Sequence, residues 1–211
     1  MKKREFIKIL GLSAAAVSVS GFRLIEDEGV VTTDCATSRD ILGPFYRKNA
    51  PPRQDLTYAD NAGEMALKVV GNVYGADCKT PLSGVEIDIW HCDQAGHYDM
   101  DSDSYKCRGK VMSDEQGHYW YKTFVPPPYN ARPKHIHYLI HESEQHQELV
   151  TQLYFKGDDK IKEDNWVSYE WDARRILDIY HNSEDLPEVR LDLYLKQKKK
   201  SKAQSRTGRR S

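Results

Sequence analysis

The chain has 211 residues, 39% of them hydrophobic, enough for one domain with a proper core. A formal net charge of -1 hides an asymmetry, because eight basic residues and no acid lie between Lys196 and Ser211, leaving 23 basic against 32 acidic residues elsewhere. An acidic body excludes general nucleic-acid binding by the domain itself.

Residues 1–22 read as an export segment. Lys2, Lys3, Arg4 and Lys8 form a basic start, Ile9 to Ser20 is short and apolar, and Ser18-Val19-Ser20 supplies small residues for cleavage. The apolar run is too short for a bilayer core, which takes about 20 residues, so no transmembrane span is expected. Lys3-Arg4-Glu5-Phe6-Ile7-Lys8 resembles a twin-arginine export motif with lysine in place of its first arginine. The expectation is a periplasmic or extracellular protein exported by a twin-arginine-like route.

Residues 23–60, with Gly43-Pro44 and Pro51-Pro52, read as an extended arm. Residues 61–195 read as the core, where Val85, Ile87 and Ile89 alternate with Glu86, Asp88 and Trp90, the period of a strand. Strands are expected at 66–74, 85–92, 109–112, 118–125, 135–141, 148–155 and 189–195, separated by turns such as Asp114-Glu115-Gln116-Gly117. Helical spacing is confined to Ala173–Tyr180, through Ile176, Leu177 and Tyr180. The fold expected is all-β, an antiparallel β-sandwich with an extended N-terminal arm and little helix. Residues 196–211 have the composition of a disordered tail.

Four cysteines, at 35, 78, 92 and 107, form no Cys-x-x-Cys pair, which argues against a zinc ribbon. In an exported protein they permit two disulfides with three connectivities. A Cys92–Cys107 bridge is attractive because it would staple the loop carrying Tyr98; buried free thiols are the other reading.

The chemistry-bearing stretch is Pro128-Tyr129-Asn130-Ala131-Arg132-Pro133-Lys134-His135-Ile136-His137. On a strand, His135 and His137 face the same way while Ile136 faces the other. Two imidazoles with Tyr98 and Tyr129 make a nitrogen and phenolate-oxygen set suited to a hard trivalent metal. His135-x-His137 followed by Glu142 has cupin-like spacing, but Glu142 lies an odd number of residues from His137 and so points to the opposite strand face.

The ordered motifs carry a resemblance. Gly43-Pro44-Phe45-Tyr46, Asp88-Ile89-Trp90 leading to Asp93-x-Ala95-Gly96-x-Tyr98, Arg132-Pro133-x-His135-Ile136-His137 and Thr151-Gln152-Leu153-Tyr154-Phe155 resemble the intradiol ring-cleavage dioxygenases, the protocatechuate and catechol dioxygenase family. The resemblance implies Tyr98, Tyr129, His135 and His137 as ligands of one Fe(III), and cleavage of a catechol between its hydroxylated carbons by O2 to a cis,cis-muconate-type diacid. It implies Tyr129 as the ligand that dissociates and takes a substrate proton. It further implies that Arg132 stabilises developing negative charge, that Gln152 orients that region, and that Gly43, Pro44, Tyr46 and Arg132 bind substrate at the pocket mouth. The implied partners are a small catechol and O2, with monomer and homo-oligomer both open. The competing class is a non-catalytic secreted sandwich module of the carboxypeptidase-regulatory-like type, which would bind no metal.

Overall fold

The computed structural model describes residues 24–27, 30–33, 35–58, 66–183 and 185–198. Residues 1–22, expected to be an export segment, and all but the first three residues of the basic tail lie outside them. Strands β1 (Leu24–Asp27) and β2 (Val30–Thr33) pair as a small antiparallel ribbon.

Two five-stranded sheets form a sandwich. In the first, β3 (Ala66–Tyr74) pairs antiparallel with β6 (His118–Phe124). Its other edge takes β11 (Pro187–Arg190) and then β12 (Leu193–Tyr194), both parallel, with β10 (Tyr180–His181) outside β11. The second sheet runs β5-β4-β7-β8-β9, from β5 (Arg108–Met112), β4 (Glu86–Trp90), β7 (His135–Ile140), β8 (Leu149–Phe155) and β9 (Ile176–Leu177). The long strands pair antiparallel, and the short β9, β11 and β12 add parallel partners.

Between the sheets, Val69, Val73, Tyr119, Tyr121 and Val189 meet Ile87, Ile89, Ile136, Tyr138, Ile140 and Leu153 in one apolar core. The Tyr121 and Tyr138 hydroxyls close on each other there. Alternation sends His135, His137 and Leu139 to the opposite face of β7, yet every residue of that strand is buried. The arm supplies the cover. Its backbone bonds to Val150 through Asp40, to Lys110 through Pro51 and Arg53, and to Lys122 through Gln54 and Leu56. It therefore crosses the outer face of the second sheet and blunts exposed edges of both.

Three local expectations change. The span 189–195 breaks at Leu191 and Asp192, where the chain runs so close to β3 that a Cβ on Gly71 would meet the Leu191 carbonyl oxygen at 1.8 Å. Ala173–Tyr180 is not helical. Arg175 and Leu177 instead accept backbone hydrogen bonds from Tyr154 and Lys156, completing the edge of β8. The disulfide joins Cys35 to Cys78, tying the start of the arm to the turn after β3, while Cys92 and Cys107 are free and buried. The last two thiols have different neighbours: Cys92 donates to the Pro127 carbonyl and Cys107 bonds with Tyr58. Burial pushes both up to about 12, which makes them inert.

Candidate metal and ring-cleavage site

Tyr98 lies in the loop between β4 and β5. Asp93 opens that loop, its carboxylate capping the Ala95 and His97 amides while Gly96 takes a positive φ of 79°. Charge and backbone do the stapling expected of a disulfide. Asp99 accepts from the amides of Ser102 and Lys106, Arg47 sits 3.6 Å from its carboxylate, and buried Arg108 donates to its carbonyl at 2.6 Å.

The Tyr98 hydroxyl is 3.2 Å from His135 Nε2 and 3.3 Å from His137 Nε2, and the two nitrogens are 3.1 Å apart. Three atoms so spaced can all lie about 2.0–2.2 Å from one point, the usual reach of nitrogen and oxygen ligands to a metal ion. His135 Nδ1 donates to the Pro133 carbonyl at 2.6 Å, leaving the Nε2 lone pair directed at the cluster. His137 stacks on Trp90 with centroids 4.7 Å apart, and its buried Nδ1 has no hydrogen-bond partner among the described residues. Burial lowers His135 to about 4 and His137 well below the ordinary histidine value, so both imidazoles are neutral at pH 7. Burial also raises the Tyr98 phenol, so only a strong local positive charge would displace its proton.

Tyr129 and Arg132 are the ends of one turn, with the Arg132 amide donating to the Tyr129 carbonyl at 2.8 Å and Asn130 at a φ of 50°. The Tyr129 ring meets Tyr98 edge-on at 5.3 Å. These groups line a cavity of about 330 Å3 with Ile41, Gly43, Pro44, Phe45 and Asn130. Phe45 stacks on Tyr98 at 4.2 Å. Tyr46 does not line it: past the Pro44-Phe45 turn its hydroxyl donates to Asp88 at 2.6 Å while its ring packs on Trp90. Glu142 is exposed and pairs with Lys198, away from the histidines.

Arg132 is gripped from two sides. Its Nε donates to Asp164 at 2.6 Å; its Nη2 donates to Gln152 Oε1 at 3.1 Å and to the Tyr154 hydroxyl at 2.6 Å. Gln152, opposite His137 in the β7–β8 register, also donates to the Ile41 carbonyl, linking strand to arm. Below them, Tyr154 lies 2.7 Å from Asp40, which pairs with Arg175, itself paired with Asp172. Asp40, Tyr154, Asp164, Asp172 and Arg175 had no signal as a group in the sequence, because they come from segments far apart in the chain.

A sandwich whose outer face carries two tyrosines, two histidines and a half-buried arginine around a small cavity matches a known family. The model for the family described as "Dioxygenase" matches residues 41–196. The chlorocatechol 1,2-dioxygenase of Rhodococcus opacus is 31% identical over 61% of this chain and 60% of its own length. Catechol 1,2-dioxygenase 2 of Acinetobacter lwoffii is 27% identical over 74% of this chain and 65% of its own. The chain therefore spans about three fifths of the length of these relatives. Among solved structures, the dioxygenase domain of a dioxygenase carbohydrate-binding protein fusion from Streptomyces sp. SirexAA-E has a TM-score of 0.66 and 29% identity, covering 76% of this chain and 98% of that one. The 3-chlorocatechol 1,2-dioxygenase of Rhodococcus opacus 1CP gives 0.67 and 25%, over 77% and 73%. The chain belongs to the intradiol ring-cleavage dioxygenase family.

Proposed function

We propose that the protein is an exported non-haem Fe(III) dioxygenase. It would cleave a small catechol between its hydroxylated carbons, adding both atoms of O2 to give a cis,cis-muconate-type diacid. One observation carries the reading: Tyr98 Oη, His135 Nε2 and His137 Nε2 converge within 3.3 Å of one another in a cavity that also holds Tyr129 and Arg132. Tyr98, Tyr129, His135 and His137 would hold the iron. Two phenolates among them would offset two of the three charges of a ferric ion, a hydroxide the third, while both imidazoles stay neutral. The ion supplies a Lewis acid able to bind both oxygens of a catechol.

The chain's own residues do the rest. Phe45, Ile41 and Pro44 give the ring an apolar wall that excludes water. Binding a catechol through two oxygens requires the loss of two protons, and the Tyr129 phenolate is the side-chain base at hand for one of them. Arg132, with its orientation fixed, stabilises negative charge as it develops on the ring and the attacking oxygen. The Cys35–Cys78 disulfide favours an oxidising compartment and so supports export.

The test is the optical spectrum of purified protein with its iron content, before and after adding catechol in air. Tyrosinate-to-iron charge transfer colours the parent protein, and Tyr98→Phe and His135→Ala lose both metal and colour while staying folded. A colourless, iron-free parent that leaves catechol intact would instead fit a non-catalytic sandwich module.

A further inference from the structure

Asp164 follows the 3-10 turn Asp159–Lys162 and lies outside the sequence motifs that carry the resemblance. Its side chain is only 1% exposed. Oδ1 accepts from the Trp166 and Val167 amides at 2.7 and 3.1 Å, so the loop itself fixes the carboxylate. Val167 anchors that loop by packing with Tyr154, Ile161 and Ile176. Oδ2 is left to take Arg132 Nε at 2.6 Å.

With Gln152 and Tyr154 holding Nη2 on the other side, Nη1 is the one guanidinium nitrogen with no hydrogen bond among the described residues. Arg132 is also the one cation among the residues lining the cavity. A second buried carboxylate, Asp40, waits 3.9 Å from Nη2. Without Asp164 the guanidinium would be drawn towards Asp40.

We propose that Asp164 is a positioning residue: it holds Arg132 by Nε against the pull of Asp40, so that Nη1 remains the donor available to a bound catechol or oxygen. The proposal rests on the ring-cleavage reading, and it reaches beyond it by assigning a role to a residue outside the metal, base and substrate groups of that reading. An ordinary surface ion pair predicts no kinetic effect. The near-complete burial of Asp164, the partial burial of Arg132 and the two-sided grip argue for a geometric role.

The test uses full-length, iron-loaded protein. Asp164→Asn keeps an acceptor for the Trp166 and Val167 amides and removes the charge; Asp164→Ser serves the same comparison should that variant fail to fold. Melting transition, iron content and the catechol-induced absorption shift are expected to match the parent. Turnover should fall about 10²-fold, and Asp164→Glu should recover part of it. Arg132→Leu combined with Asp164→Asn should be no slower than Arg132→Leu alone, because residues acting as one unit are not additive. Losses that add in full, or parental turnover in Asp164→Asn, overturn the proposal. A parent that cleaves no catechol would sink the ring-cleavage reading by itself. The crystal structure of Asp164→Asn then decides the positioning role without turnover. A guanidinium displaced from Gln152 and Tyr154 supports it; one left in place refutes it.

Discussion

Reducing or removing the Cys35–Cys78 bridge gives the most quantitative prediction. The bridge joins residues 43 apart, a separation that contains most of the arm and all of β3. In the chain-entropy model, closing a loop of that length removes about 13 cal/mol/K from the unfolded chain, or about 4 kcal/mol at 25 °C. The double variant Cys35→Ser/Cys78→Ser should lose stability of that order, and each single variant should lose about as much, since one serine already breaks the link. Chemical denaturation followed by fluorescence, with and without reductant, measures it; reductant should destabilise the parent and leave the double variant unmoved. Thiol titration of denatured protein supplies an independent count. Without reductant only Cys92 and Cys107 should react, and with it all four. Four reactive thiols in unreduced protein, or a parent whose stability ignores reductant, would refute the assignment.

Other outcomes follow from single residues. Arg132→Leu should still load iron and shift its absorption on adding catechol, while turnover falls about 10²–10³-fold, equivalent to roughly 2.7–4 kcal/mol; near-normal steady-state rates would leave the arginine a structural role only. Gly71→Ala would place a methyl group against the Leu191 carbonyl, so the β3–β12 edge must move, at a cost of about 1–3 kcal/mol read from the urea midpoint. His91 is buried between Thr123 and the Cys92 carbonyl, and burial lowers it to about 4. Because its folded value lies below the unfolded one, the stability it contributes is present above about pH 6.5 and lost as pH falls towards 4, by about 1.4 kcal/mol per pH unit. His91→Gln should flatten that acid slope; an unchanged slope would assign acid sensitivity elsewhere.

Strand alternation made His135 and His137 legible as a pair, because period two is a property of the backbone itself. That rule could not separate Phe45 from Tyr46 inside Gly43-Pro44-Phe45-Tyr46, because Pro44 and Phe45 form a turn and Gly43, Pro44 and Phe45 all line the cavity. Ala173–Tyr180 misled because three apolar residues at helical spacing can equally satisfy a sheet edge when β8 has carbonyl and amide groups to pair. Cysteine spacing along the chain says nothing about which thiols meet in space, so Cys35 and Cys78 could not be paired by reading. Asp40, Asp164 and Arg175 were hidden for a related reason: isolated charges have no period, and their partners lie 135 residues apart in the case of Asp40 and Arg175.

The arm's place at the start of the chain also sets an order of events during synthesis. Ile41 reaches Gln152 across 111 residues, Asp40 reaches Tyr154 across 114, and the last partner of Asp40 is Arg175. The segment that walls the cavity is thus made early but has nothing to dock on until β7, β8 and the Arg175 loop have left the ribosome. Such long-range closures are the slow part of β-rich folding. The β4–β5 and β7–β8 hairpins can form early, whereas the cavity waits for the arm to come down over the tyrosine and histidine face, and the first sheet waits for β11 and β12. A nascent chain stalled before Arg175 would carry both histidines and both tyrosines, yet no finished pocket.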